Sequence, residues 1–153
     1  MSGTYTPFTG DFNDDGRFDV FWYRPGTGAD SIWYGTSAKG GFDSFAKAVN
    51  GTYKPVSGDY NGDGAFDVFW YAPGTTSDSI WYGSVTKGVF SGASASVSST
   101  YTPFSGDFDG DGEYDVFWYA PGSASDRVWY GTVDKGAFTS RTVGVTGTFT
   151  PVP

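Results

Sequence analysis

Oxygen-bearing side chains occupy fixed positions in a nine-residue stretch at 107–115. Its sequence, DFDGDGEYD, places Asp107, Asp109, Asp111 and Asp115 at positions one, three, five and nine, with glycines at four and six. Alternate carboxylates on a tight loop converge on one hard cation, and glycine permits the sharp turn. Calcium suits such a loop, since Ca²⁺ accepts roughly 6–8 oxygens in flexible geometry and Mg²⁺ rarely uses an all-protein cage. The stretch therefore predicts a calcium-binding loop.

The same spacing occurs three times, at a period of 48 residues. In each copy we expect the backbone carbonyl at position seven to join the side-chain oxygens, so the sequence predicts about three Ca²⁺ per chain. The predicted ligands are Asp11, Asn13, Asp15, Arg17 and Asp19 in the first loop, Asp59, Asn61, Asp63, Ala65 and Asp67 in the second, and Asp107, Asp109, Asp111, Glu113 and Asp115 in the third.

Two other interpretations of these loops have to be considered. A stretch rich in Asp, Asn and Gly is often only a solvated turn, but three copies in one register argue against a chance arrangement. An EF-hand loop ends with a bidentate Glu at position twelve, where this chain has Trp22, Trp70 and Trp118. The EF-hand is therefore excluded, and the Asp at position nine is predicted to close each site instead.

The composition describes a folded domain whose acidity is concentrated in these loops. The chain has 153 residues, of which 20% are aromatic and 17% charged, as expected for one domain with a large core. Its formal net charge of −8 argues against nucleic acid or an anionic membrane as a partner. Three Ca²⁺ would offset six of these negative charges, so we attribute the acidity to metal binding.

Several kinds of chemistry are excluded by residue type. The chain has no Cys and no His, which removes disulfides, thiol chemistry, His-based acid–base catalysis and the usual zinc ligands. The paired carboxylates lie where a cation would keep them ionised, whereas a general acid needs a raised pKa. Three near-identical sites also argue against a single catalytic centre. We therefore predict that the protein is not an enzyme.

Three repeats account for the chain. Residues 3–50, 51–98 and 99–146 align without an insertion or deletion, and 147–153 begin a fourth repeat in the register of 3–9. In the first repeat we expect strands at 8–12, 18–23, 31–34 and 42–49, separated by an acidic loop and by Pro-Gly and Lys-Gly turns. Aromatic residues on both faces of the second and third strands fit a sheet covered on both sides. Such repeats predict an all-β domain, 1–153, of three four-stranded antiparallel propeller blades.

Two stretches, SGDYNGDGAFDV at 57–68 and SGDFDGDGEYDV at 105–116, resemble the signature of FG-GAP/VCBS repeats. These repeats form integrin α-subunit propellers and occur in many bacterial extracellular proteins, and the resemblance covers essentially the whole chain. It implies a four-stranded blade with Ca²⁺ between strands one and two, and an extracellular setting. The first repeat departs from the pattern, with Asp14 in the place of Gly62 and Gly110. Asp tolerates unusual backbone angles, so we expect that site to be kept with weaker affinity.

Other repeated residues are assigned structural roles. The two Trp of each repeat are predicted to fill the spaces between blades rather than to bind sugars. An Asp before the third strand is expected to accept backbone hydrogen bonds, the glycine at loop position six to supply a positive φ, and a turn Lys to lie in solvent. These residues are Trp22, Trp70, Trp118, Trp33, Trp81 and Trp129; Asp30, Asp78 and Asp126; Gly16, Gly64 and Gly112; Lys39, Lys87 and Lys135.

Three blades are too few for a closed ring, which uses about 4–8. We therefore predict closure by self-association, with a homodimer of six blades ranked first and a homotrimer of nine second. The tail at 147–153 would run towards the partner's first strand. One of the two equivalent termini would then be poorly ordered, because both cannot fill one slot.

Two functions remain open. The resemblance implies a non-enzymatic, calcium-binding module for binding or adhesion, with carbohydrate as the suggested ligand in the manner of a lectin. The alternative is a purely structural scaffold, natural or engineered, which the gap-free repeats favour. We expect no nucleic-acid or membrane partner, no signal peptide at 1–4 and no transmembrane segment.

Overall fold

The computed structural model describes residues 3–123 and 125–152, so that Met1, Ser2, Ala124 and Pro153 of the expected domain lie outside the described residues. Within the described part the chain forms twelve strands and no helix, and hence no helix able to cross a membrane. The strands are β1 (Thr6–Gly10), β2 (Asp19–Tyr23), β3 (Asp30–Gly35), β4 (Phe42–Lys47), β5 (Lys54–Gly58), β6 (Asp67–Tyr71), β7 (Asp78–Tyr82), β8 (Ser91–Ala95), β9 (Thr102–Gly106), β10 (Asp115–Tyr119), β11 (Asp126–Tyr130) and β12 (Thr139–Val143).

The strands form three antiparallel sheets, here called blades 1, 2 and 3, each with four strands in chain order. First strands of successive blades lie side by side. Ser57 Oγ donates to the Thr9 carbonyl at 2.8 Å, and Ser105 Oγ donates to the Ser57 carbonyl at 2.6 Å. Fourth strands lie outside, and β4 is exposed along almost its whole length. The predicted all-β chain of four-stranded blades is confirmed.

β1 and β4 differ from their expected ranges by two residues, whereas β2 begins one residue later and β3 extends one residue further at each end. β1 covers Thr6–Gly10 rather than 8–12, because the Phe12 N–H donates to the Asp19 carboxylate and leaves the ladder that ends at Gly10 opposite Asp19. β4 ends at Lys47 rather than at 49, because the Val49 N–H donates to the Asp30 carboxylate. In both places a side chain captures a backbone donor that sequence patterns would assign to a strand.

The hydrophobic core lies between blades, in two parts here called junction 1/2 and junction 2/3. Phe21, Tyr23 and Trp70 belong to the first, and Phe69, Tyr71 and Trp118 to the second. Blade 2 is covered on both faces, so every residue of β6 is buried. The aromatic residues on both strand faces are thereby explained for the middle blade.

Trp70 and Trp118 fill equivalent places in the two junctions. Trp70 packs edge-on against Phe21 and Tyr23 of blade 1, with ring centroids 5.4 and 5.2 Å apart. Trp118 makes the same contacts with blade 2 at 5.1 Å each. Such aromatic pairs contribute about 0.5–1.5 kcal/mol each beyond area burial. Since both Trp are 1% exposed, their predicted role between blades is confirmed.

A buried carboxylate ties the strands of each blade together. Asp30 accepts hydrogen bonds from the N–H groups of Arg24, 2.6 Å away, and Val49, 2.8 Å away. Asp78 and Asp126 make the same two bonds in blades 2 and 3. Each of these hydrogen bonds to a charged group contributes about 1.5–3 kcal/mol to stability. Because all three Asp side chains accept backbone hydrogen bonds, the role expected for them is confirmed.

A tyrosine clasp fastens each blade to the start of the next repeat. Tyr71 Oη donates to the Ser99 carbonyl at 2.6 Å and accepts from the Tyr101 N–H at 2.8 Å. Tyr23 holds residues 51–53 in the same way. Tyr119 holds the tail, through the Gly147 carbonyl and the Phe149 N–H. The tail therefore starts as a fourth repeat would.

The turn lysines of blades 2 and 3 contact the preceding blade; Lys135 is exposed as predicted, whereas the prediction is wrong for Lys87, which is partly buried. Lys87 Nζ lies 2.7 Å from Asp43 Oδ2 and 5.6 Å from the Tyr34 ring centroid of blade 1. Lys135 reaches back to blade 2, to Ser91 Oγ at 3.0 Å and over the Tyr82 ring. Each lysine lies beside a preceding blade, which no local pattern reveals.

Candidate metal centre

Three acidic loops connect the first and second strands of the blades, at 11–19, 59–67 and 107–115. Their glycines at position six have φ of 81°, 95° and 99° at Gly16, Gly64 and Gly112, which confirms the predicted left-handed backbone. Asp14 also has a positive φ, 53°, where Gly62 and Gly110 have 67° and 80°. The first loop therefore keeps the shape of the others despite its substitution.

The Asp at position nine is buried and anchors each loop. Asp19 accepts from the Phe12 N–H through Oδ2 and from the Gly35 N–H through Oδ1, both at 2.9 Å. Asp67 and Asp115 repeat these bonds. A carboxylate has about four acceptor sites, so two backbone donors leave room for a cation. The sequence analysis did not predict this anchoring role. The feature that could have indicated it is a glycine 16 residues after each of these Asp residues.

Burial raises the pKa of these carboxyl groups, chiefly by desolvating the charged form. The pKa of Asp19 rises from 3.8 to about 6, and that of Asp67 from 3.8 to about 8. Nearby acidic side chains of the same loop add to the rise, while the backbone hydrogen bonds oppose it. Asp67 is affected most because blade 2 is enclosed by both neighbours. A bound cation would reverse this effect by favouring the ionised form.

The other side chains of loops 1 and 2 turn towards the loop interior. Asp11 accepts from the N–H groups of Asp15 at 3.1 Å and Gly16 at 2.7 Å. Asn13 Nδ2 donates to Asp15 Oδ2 at 3.2 Å. Loop 2 repeats all three bonds with Asp59, Asn61 and Asp63. The structure thus brings positions one, three and five of loops 1 and 2 into one hydrogen-bonded group.

An unpartnered oxygen marks the interior of these two loops. Oδ1 of Asn13 and Oδ1 of Asn61 are buried and have no hydrogen-bond partner among the described residues, and the two residues are only 6% and 7% exposed. A buried acceptor without a partner costs about 1–3 kcal/mol. Both atoms belong to position three, a predicted ligand position. The residues present therefore fit a hard cation bound to amide and carboxylate oxygens.

Loop 3 brings its carboxylates together in a more open site. One oxygen from each of Asp107, Asp109 and Asp115 lies within 4.8 Å of the others. Asp107 accepts from the Gly110 N–H at 2.6 Å rather than from that of Asp111. Phe108 is 46% exposed, whereas Phe12 and Tyr60 at the same position are 1% exposed.

The following blade accounts for this difference. The Phe66 N–H donates to the Asp11 carbonyl at 2.7 Å, and the Tyr114 N–H donates to the Asp59 carbonyl at the same distance. Loops 1 and 2 are thus braced by blades 2 and 3. Within the described residues, loop 3 has no such brace. The carbonyls of Arg17, Ala65 and Glu113 stay predicted ligands, as do the full ligand sets.

One comparison with known proteins, that with family models, found a match. Residues 99–138, which contain β9 to β11 and loop 3, match the family model described as FG-GAP repeat. Together with the three blades, this match supports a β-propeller repeat protein. No curated protein and no solved structure matched the chain.

Proposed function

We propose that this chain is a non-enzymatic, calcium-stabilised propeller module that closes its ring by self-association and serves in extracellular binding or adhesion. The observation that carries the calcium part is the buried, unpartnered Oδ1 of Asn13 and of Asn61. The FG-GAP match at 99–138 supports the module and its extracellular setting.

Each loop would hold one ion through positions one, three, five and nine and the carbonyl of position seven, giving about three Ca²⁺ per chain. A bound ion supplies positive charge that neutralises the loop carboxylates. The chain's own residues position each loop. Asp19 and its equivalents fix the loop to the blade, and in loops 1 and 2 an N–H of the following blade holds the carbonyl of position one in place.

A calcium titration tests this part. Calorimetry of the wild type should give about three sites, and Ca²⁺ should raise the melting temperature, because it binds the folded state. N61A and D111A should each lose one site and keep the others. N50A, outside the loops, should keep all three. Absence of binding heat together with an unchanged melting temperature would show that the loops are only turns.

The self-association part rests on two open ends that are complementary halves of a junction. On blade 3, a cavity of about 210 Å³ is lined by Phe104, Phe117, Tyr119 and Phe149, among others. At junction 1/2 the equivalent residues Phe8, Phe21, Tyr23 and Tyr53 surround Trp70. On blade 1, Trp22 has no preceding blade. Trp22 of a second copy therefore fits the cavity on blade 3.

Side chains at the two open ends are exposed where their equivalents inside the chain are covered. Phe18 of blade 1 is 67% exposed, while Phe66 and Tyr114 at the same position are partly buried between blades. Phe108 is exposed at the other end. An apolar area of this kind is normally covered in soluble proteins. Two copies would cover both ends and give six blades, within the common range, while three would give nine.

Charge also favours this closing junction. At junction 2/3, Glu113 lies beside loop 2, where a Cβ on Gly62 would come within 3.1 Å of its side chain. Arg17 holds the same position in blade 1, so it would lie beside loop 3 of a second copy. Loop 3 has Asp109 where the other loops have Asn13 and Asn61. The Arg17 guanidinium of one copy would thus lie beside loop 3, the most acidic of the three loops, of the other copy.

A purely structural scaffold is the second candidate. The same tyrosine clasp and the same aromatic contacts recur at both internal junctions without an insertion. These contacts between blades are sufficient for a chain whose only property is assembly. The two candidates differ in whether a surface of the chain binds a ligand.

A further inference from the structure

One difference between the two internal junctions opens a groove. At junction 1/2, Lys47 crosses from blade 1 and its Nζ donates to the Gly88 carbonyl at 3.0 Å. The ammonium lies 5.2 Å from the Trp81 ring centroid and 5.1 Å from that of Phe90. This side chain fills the outer part of the junction. The equivalent residue at junction 2/3 is Ala95, which cannot reach across.

A cavity of about 370 Å³ occupies that place at junction 2/3. A second cavity of about 260 Å³ continues it and shares Ser96, Arg127 and Trp129. Together they form one groove, of a size usual for small-ligand sites. The lining of the larger cavity includes Ser94, Ser96, Arg127, Trp129, Gly136 and Phe138.

Further substitutions change the polarity of this groove relative to junction 1/2. Ser94 and Ser96 replace Ala46 and Ala48, and Arg127 replaces Ser79. The junction therefore gains two hydroxyl groups and a guanidinium while losing the lysine that filled it. These changes provide hydrogen-bond donors and acceptors along a wall that still contains Trp129 and Phe138.

The charge of the groove is positive. Arg127 is exposed, and none of the described residues that line either cavity is Asp or Glu. Lys135 lies close by, hydrogen-bonded to Ser91, whereas the equivalent Lys87 is paired with the Asp43 carboxylate. A cationic ligand would therefore be repelled, and a carboxylate would be attracted. Arginine also binds a carboxylate through two parallel hydrogen bonds.

We propose that this groove binds an acidic saccharide, with the sugar ring against Trp129 and Phe138 and its carboxylate on Arg127. The apolar C–H face of a pyranose gains dispersion contacts on an aromatic ring, and the hydroxyls of Ser94 and Ser96 are within the same wall. This inference rests on the proposed binding function and names its ligand class. The formal charge of −8 opposes an acidic ligand, so calcium bound in the loops would favour binding.

The test uses digalacturonate and its neutral counterpart, a digalactoside, in calorimetry with the calcium-saturated protein at low salt. The acidic sugar should bind at least about tenfold more tightly, the effect of about 1.4 kcal/mol. A95K should abolish this binding, because its side chain would fill the groove as Lys47 fills junction 1/2. R127S restores the residue of junction 1/2, keeps the groove open and should reduce the affinity for the acidic sugar to that for the neutral one.

The matched control is K47A, which opens junction 1/2 without adding an arginine. It should bind no acidic sugar at junction 1/2, so its number of sites and its affinity should equal those of the wild type. Equal affinity for both sugars, no binding by the wild type, or unchanged binding by A95K would overturn the proposal. Displacement of the sugar by equimolar sulfate would also overturn it, since that would indicate a patch for any anion. Calcium stoichiometry and molecular mass, measured on the same samples, show separately whether the proposed module itself fails.

Discussion

At the scale of single residues, the position-nine carboxylate links the metal loop to the blade. Asp19 is fully buried and holds the N–H groups of Phe12 and Gly35, which belong to the loop and to the end of β3. The same group would also contact the ion. Calcium binding and blade stability are therefore expected to depend on one side chain in each repeat.

The calcium-free protein should become less stable as the pH rises from about 4 to 8. The folded chain raises the pKa of Asp19 to about 6 and of Asp67 to about 8, so it holds these protons more tightly than the unfolded chain. Stability is then greatest below the unfolded pKa and is lost as the pH passes through the folded values. Urea unfolding of dialysed protein at several pH values measures this.

The calcium-saturated protein is the matched control for that measurement. Calcium binds the ionised carboxylates, so its stabilising effect should grow over the same pH range. A calcium-free protein that gains stability between pH 5 and pH 8 would contradict the expected direction.

At the scale of strands and loops, each blade depends on residues of the following repeat. The clasp from Tyr71 to Ser99 and Tyr101 lies outside the sheet ladder, yet it fixes where blade 3 begins. The number and order of strands could be predicted from the repeats and from the alternation of loops and aromatic runs. The ends of β1 and β4 could not, because Asp19 and Asp30 capture N–H groups from other segments.

Y71F tests the clasp. The substitution removes the hydroxyl and leaves the Tyr101 N–H, in a residue only 8% exposed, without its acceptor. We expect the free energy of unfolding to fall by about 1–3 kcal/mol, the cost of a buried unpaired polar group. Chemical denaturation followed by Trp fluorescence measures it. Y5F is the control and should change stability by less than about 0.5 kcal/mol; equal effects of Y71F and Y5F would show that the clasp contributes nothing.

At the scale of the whole molecule, the chain is a row of three blades with two unlike open ends. The loop spacing predicted the three candidate sites, and loops 1 and 2 bring those side chains together. What the sequence did not reveal is that the following blade braces loops 1 and 2, since the bond from Phe66 to Asp11 depends on how blades rotate about one another. The reach of Lys87 to Asp43 depends on the same rotation.

Light scattering at micromolar concentration measures ring closure. We expect twice the chain mass of 16.3 kDa, and a mass of one chain would contradict closure. W22A should shift the equilibrium towards single chains, because Trp22 would fill the cavity on blade 3. V85A is the control, since Val85 is 76% exposed on an outer loop. The association of the wild type should also weaken with added salt, because Arg17 would face an acidic loop.

The tyrosine clasps also have a consequence for synthesis on the ribosome. The tyrosine hydroxyl of each clasp bonds to residues that are synthesised 28 and 30 positions later, as the Tyr23 hydroxyl bonds to Gly51 and Tyr53. A nascent blade therefore cannot be fastened when its own fourth strand has emerged, but only once the first residues of the next repeat have left the exit tunnel. A stop codon placed at a repeat boundary would release a last blade with an unfilled clasp, whereas one placed a few residues later would release a fastened one.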